Sequence, residues 1–174
     1  MTTPTMTCPT CWGAAKPCSA CKGARTVPDV QLSPSFMLSH FVKSNTAKSK
    51  GIPNAPPAQV VARLRELAAA LEPLRAAFGD RLSITSGYRC PALNTAIGGN
   101  DASAHCQGFA ADMVIAGLDA TGVMRWLKSN YRLPWDQAID EPGWFHLGVR
   151  SPDGKRQRKQ MLVMRGGKYS VFAG

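Results

Sequence analysis

The chain has 174 residues, 44% of them apolar, and carries 21 Lys and Arg against 11 Asp and Glu, a formal charge of +10. That length suffices for one compact domain with a small appendage, and no apolar run is long enough to cross a bilayer, so no membrane-spanning helix is expected. The charge predicts attraction to a polyanion without saying which one.

The opening residues, MTTPTMTCPTC, offer neither a basic start nor an apolar stretch, so no secretory signal is expected and synthesis in a cytoplasm is. Six cysteines in such a chain argue for metal ligation or free thiols over a disulfide framework. Four of them, Cys8, Cys11, Cys18 and Cys21, form two CxxC pairs separated by six residues, a spacing that fits a four-sulfur structural zinc site, with a redox dithiol pair as the alternative. Gly13 and Gly23 follow the pairs and let the backbone fold back. The units CPTCWG and CSACKG are similar to half-repeats of the DnaJ-type zinc-binding region, with a shorter spacer. So small a segment has no core, and closure by metal is what would fold it. We read it as a zinc knuckle over residues 1–28, ahead of a domain over residues 29–174. Trp12, Lys16, Lys22 and Arg25 would let it hold nucleic acid, wall polymer or protein; the simpler reading is a stabilising cap.

Residues 25–34 read as a linker. Leu32 to Phe41 reads as a packing segment with a helix start at Ser33 and Pro34, and the Ser-, Lys-, Asn- and Pro-rich stretch from Lys43 to Pro57 as a loop. His40 is treated as a packed or surface histidine. Ala58 to Phe78 has Val60, Leu64, Leu67, Leu71 and Leu74 at helical spacing, with Pro57 before it and Gly79 after it. Pro73 removes one intrahelical donor and should kink or divide that helix near Glu72. A strand over Leu82 to Thr85, a short helix over Pro91 to Ile97 and a strand over Phe109 to Ile115 follow. Thr121 to Asn130 reads as a helix capped by Asp119. Strands are expected over Gln137 to Asp140 and Trp144 to Val149, with Glu141 at the turn between them. A last hairpin, Met161 to Met164 and Tyr169 to Phe172, turns at Gly166 and Gly167. Between Arg150 and Lys168 stand seven basic residues and one acid, which a solvated sheet edge or a polyanion site would explain.

Chemistry concentrates in SGYRCPALNTAIGGNDASAHCQGFAAD, residues 86–112, and EPGWFHLG, residues 141–148. His105, Asp112 and His146 make a mixed nitrogen and oxygen set that suits a catalytic zinc with one position left open. Asp112 stands among apolar neighbours, where an unpaired carboxylate would be costly. Glu141 is close enough in sequence to His146 to reach the same pocket as a proton carrier without being a ligand.

The runs SGYRCPALN, SAHCQGFAAD and WFH resemble the M15 family of zinc peptidoglycan peptidases, which includes D-alanyl-D-alanine carboxypeptidases and phage L-alanyl-D-glutamate endopeptidases. LSPSFMLSHF and LAAALEPLRAAFG extend the resemblance over about Leu32 to Gly148. It implies an α+β fold of the Hedgehog/DD-peptidase type, an antiparallel sheet with packed helices. It also implies hydrolysis of a stem-peptide amide, most plainly by a phage endolysin that is made without a signal and meets the wall after release. Glu141 then matches the family base, with the adjacent Asp140 left open as the alternative, and Arg89 matches the arginine expected at the substrate carbonyl, where it would stabilise an oxyanion or clamp a carboxylate. A structural ion pair of Arg89 with Asp112 or Asp101 is the alternative. Ser103 is a candidate for binding substrate, and Tyr88, Asn94 and Gln107 for supporting the ligands. Cys90 and Cys106 read as buried thiols that approach each other. The expected partners are peptidoglycan and anionic outer-membrane or wall polymers, met by a monomer. Nucleic acid is not expected, since the aromatic interleaving of a single-strand platform is missing. The rival activities are a D-alanyl-D-alanine carboxypeptidase and an inactive zinc-containing wall-binding or virion module.

Overall fold

A computed structural model describes residues 3–13, 18–130, 132 and 135–174; Lys16 lies outside the described residues. Strands β1 (Thr5–Thr7) and β2 (Thr26–Pro28) pair antiparallel and bracket the cysteine pairs. The expected linker is therefore structured: Val27 stands opposite Met6, which is buried in the main core. Strands β3 (Gln31–Ser33) and β4 (Phe36–Met37) form a tiny hairpin where a helix start was expected. Ser33 and Ser35 do not cap a helix, because both are held by the Glu72 carboxylate (2.6 and 2.8 Å).

Helix α1 (Leu38–Val42) follows, then α2 (Asn45–Lys50) inside the stretch expected to be a loop. Only Ala47 of α2 is buried, so apolar spacing could not announce it; Ser44 Oγ accepts the Ala47 N–H at its start, and Gly51 at φ 62° ends it. Helix α3 (Ala58–Phe78) runs unbroken for 21 residues through Pro73. The carbonyl that loses its partner belongs to Ala69, on the exposed side of the helix, where it is open to solvent.

The remaining elements are β5 (Leu82–Ser86), α4 (Pro91–Ala96), β6 (Ala110–Ile115), α5 (Ala120–Asn130), β7 (Gln137–Glu141), β8 (Trp144–Gly148), β9 (Gln160–Arg165) and β10 (Lys168–Val171). Asp119 caps α5 through the Gly122 N–H (2.7 Å). Six strands make one sheet in the order β10-β9-β7-β8-β6-β5. It is mixed and not purely antiparallel, because β7 and β9 run parallel after the crossover of residues 149–159. Gly166 and Gly167, both at positive φ, close the last hairpin, and Glu141 ends β7 opposite Trp144 instead of standing at the turn.

Strand alternation divides the sheet into two faces. Ala111, Met113, Ala138, Phe145 and Leu147 are buried on the side covered by α3 and α5, where Leu64, Leu67, Leu71, Leu74, Met124 and Leu127 complete the core. Phe78 and Trp126 meet edge to face and join the two helices. The opposite face carries Asp112, His146 and Glu141. Among the described residues no helix is long and apolar enough to cross a membrane.

Candidate metal centre and cleft

Asp112 of β6 and His146 of β8 are direct partners in the antiparallel register, so the sheet itself presents them side by side. His105 arrives from the turn before β6 and is 2% exposed. Its Nδ1 donates to the Gly87 carbonyl (2.8 Å), and a carbonyl only accepts, so in the neutral ring, which burial favours, the proton sits on Nδ1 and Nε2 is a lone pair. That Nε2 lies 3.2 Å from Asp112 Oδ1 and 3.2 Å from His146 Nδ1, while His146 Nδ1 and Asp112 Oδ1 are 2.8 Å apart. An unprotonated nitrogen facing a carboxylate oxygen is repulsive unless a cation lies between them. Tetrahedral ligands at roughly 2.0–2.1 Å from zinc stand about 3.3 Å apart, so the triangle fits such a metal.

Burial alone would raise the Asp112 carboxyl, but His105 and His146 hold it well below the usual carboxylate range. Burial pushes His105 down, toward the neutral form that ligates metal.

The triangle opens into a cleft of about 520 Å³ whose walls include Arg89, Ser103, Glu141, Trp144 and Tyr169. Glu141 is 8% exposed, and burial raises its carboxyl, partly offset by His146. Its Oε2 is buried without a hydrogen-bond partner among the described residues. Asp140, one residue earlier, points to the helix face and is occupied by Thr121 Oγ1 (2.5 Å) and Arg165 (2.9 Å). Of the two carboxylates, only Glu141 reaches the cleft of the metal triangle.

Arg89 is half-buried, and its Nε likewise has no partner among the described residues. Burial lowers its guanidinium while Asp112 opposes that. No ion pair joins Arg89 to Asp112 or Asp101 among the described residues, so the guanidinium is left to face the cleft. Ser103 lines the same wall, and its Oγ accepts the His105 N–H (3.3 Å). Tyr88 is buried, Asn94 donates to the Asn100 carbonyl and Gln107 accepts from Arg63; these three brace the surrounding loops and do not line the cleft. Sequence reasoning missed Gln137 and Trp144, which β7 and β8 alternation places beside Glu141 and His146. It also missed Arg158 and Tyr169, which reach the cleft from the crossover and the last hairpin with no local signal.

The four cysteines of the N-terminal segment also converge. Cys8 and Cys18 sulfurs are 3.9 Å apart and those of Cys11 and Cys21 3.7 Å, against about 3.8 Å for thiolates at roughly 2.3 Å around a tetrahedral zinc. Burial would raise the Cys8 thiol, but the N–H groups of Thr10 and Cys11 outweigh it and lower it to about 7. Trp12 is not free on the surface: its Nε1 donates to the Ile52 carbonyl (2.7 Å), and the Asn54 N–H donates to the Pro9 carbonyl (2.8 Å). Cys90 and Cys106 are unpaired and only half-buried; Cys90 Sγ accepts the Leu93 N–H (3.4 Å) and caps α4.

The basic run near the C-terminus is partly neutralised. Arg150, Arg158 and Arg165 pair with Glu66, Asp136 and Asp140, acids contributed by other elements.

The family model described as Peptidase M15 matches residues 34–142, more than half of the chain. No curated protein matches it.

Proposed function

The chain belongs to the peptidase M15 family, metallopeptidases that act on peptidoglycan, and we propose that it is a zinc-dependent L-alanyl-D-glutamate endopeptidase of the endolysin kind. The observation that carries the reading is the pairing, in one cleft, of the converging His105, Asp112 and His146 atoms with an unpartnered Glu141 oxygen and an unpartnered Arg89 nitrogen. A purely structural metal would need neither of the last two. His105, Asp112 and His146 would hold the catalytic zinc, which when bound supplies Lewis acidity and makes water acidic enough to deprotonate near neutral pH. Glu141 takes the proton of the attacking water and returns it to the departing amine. Arg89 donates to the oxygen on which negative charge develops, and Ser103 hydrogen-bonds the substrate backbone. Four thiolates from residues 1–28 would hold a second, structural zinc beside a monomeric domain of the Hedgehog/DD-peptidase type.

The cleft is walled both by Gly99 and Ser103, from the segment before β6, and by Gln137, Arg158 and Tyr169, from β7, the crossover and β10, and a cleft built from such separate segments suits a chain cut internally over one trimmed at its end. Digestion of purified peptidoglycan, read by mass spectrometry, tests this. New D-glutamyl amino termini are expected from the wild type, with Glu141→Ala slower by about 10²- to 10⁴-fold. Release of free D-alanine instead would establish the carboxypeptidase. No cleavage by zinc-loaded protein would leave the wall-binding module.

A further inference from the structure

Asn54 lies in the stretch that the sequence presents as a featureless loop, and it is 0% exposed. Every polar group it offers on the side chain is used: Nδ2 donates to the carbonyls of Val42 (3.0 Å) and Tyr88 (3.1 Å), and Oδ1 accepts the N–H of Cys90 (2.8 Å). Those last two contacts flank Arg89 on either side. The segment is further pinned where the Tyr88 N–H donates to the Phe41 carbonyl (2.7 Å) and where Gly87 passes so near Phe41 that a Cβ would meet its backbone oxygen at 2.5 Å. The backbone N–H of the same Asn54 donates to Pro9, between Cys8 and Cys11, and Trp12 grips Ile52 two residues earlier. An unbroken path of hydrogen bonds therefore runs from the four-cysteine segment to the backbone around Arg89.

We propose that Asn54 is a positioning residue that couples the metal-closed four-cysteine segment to Arg89, so that the ordering of the N-terminal segment sets the aim of a guanidinium in the cleft. The inference rests on the reading of Arg89 as a group that meets substrate. The physical basis is that a buried amide with all its partners fixed has one orientation, and its two contacts leave the intervening residue little backbone freedom. With the thiolates unligated the Pro9 carbonyl loses its fixed place, and Asn54 loses one of its anchors.

The test is amide hydrogen exchange at Cys90 together with metal stoichiometry and steady-state kinetics on the full chain. In the double variant Cys18→Ser, Cys21→Ser, metal content should fall from two to one. The Cys90 amide should then exchange about tenfold faster, and kcat should fall by on the order of ten- to a hundredfold with less change in KM. Trp12→Phe, which keeps an aromatic ring but removes the Nε1–H donor to Ile52, should move the same quantities in the same direction by less, and serves if the double variant fails to fold. Asn54→Ala, which removes the acceptor of the Cys90 N–H, should speed Cys90 exchange while both metals stay bound. Glu72→Ala, a destabilised control remote from this path, should leave Cys90 exchange unchanged. Cys90 protection and kcat unaltered after loss of the thiolate-bound metal would overturn the coupling. Exchange that responds as expected in a protein that cleaves nothing would instead overturn the hydrolase reading and leave the coupling standing.

Discussion

The four cysteines all fall between Cys8 and Cys21, on two tight turns bracketed by the short β1–β2 pair, whereas His105 and His146 are 41 residues apart and are brought together by a six-stranded sheet. The first set offers four protein thiolates and leaves a metal no vacant position; the second offers three ligands facing a cleft. The first site would be organised by an ion, whereas the second is organised by strand register and a buried imidazole. A metal can therefore fold the first and do chemistry in the second.

The sharpest way to break the comparison is His146→Ala. Activity should drop to background and the metal count from two to one, with the thiolate site still filled; loss of both metals would show that the sites are not independent. Arg89→Ala comes next. It should lower kcat/KM by about 10²- to 10³-fold with both metals bound, since it removes a donor and not a ligand. Mild chelation should then separate the sites by structure. Emptying the three-ligand site should leave β6 and β8 amides protected, while stripping the thiolates should expose those of Thr5 to Thr7, Thr26 and Val27, as exchange measurements would report.

The smallest effect concerns the border between the N-terminal hairpins and the body. Burial would raise the Glu72 carboxyl, but the hydrogen bonds from Ser33 and Ser35 outweigh it and hold it below its ordinary value of 4.5. A lowered value in the folded state means that the contribution is complete above about 4.5 and is lost as pH falls through the folded value. Glu72→Ala should cost about 1 kcal/mol at neutral pH, given its partial exposure, and the cost should shrink in acid; a pH series of denaturation midpoints measures it.

What was legible in the sequence followed from residue types that are scarce or periodic. Three histidines, two of them in glycine-bearing segments, made the ligand set visible; leucine spacing revealed α3, and Pro57 and Gly79 marked its limits. What was hidden depended on distant partners. Strands β1 to β4 are two or three residues long and exist because Met6 meets Val27 and because Glu72 collects two serines. Helix α2 is held by its caps with one buried residue. Asn54 was a single polar residue among prolines, and nothing local distinguishes an amide that clamps a distant segment from one facing water. Asp140 and Glu141 could not be told apart without the register of β7, which turns adjacent residues to opposite faces.

The cysteine segment also repeats itself ten residues on. The Trp12 N–H donates to the Cys8 carbonyl and the Lys22 N–H to the Cys18 carbonyl (2.8 and 2.7 Å); Trp12 and Lys22 both adopt positive φ, and so do the glycines that follow them. The two halves are thus the same device used twice, each presenting half of the thiolates of one tetrahedron. A peptide carrying a single half would have to borrow the other half from a second copy, so zinc should draw such fragments into dimers. A tandem duplication would then have turned an encounter between molecules into a fold within one.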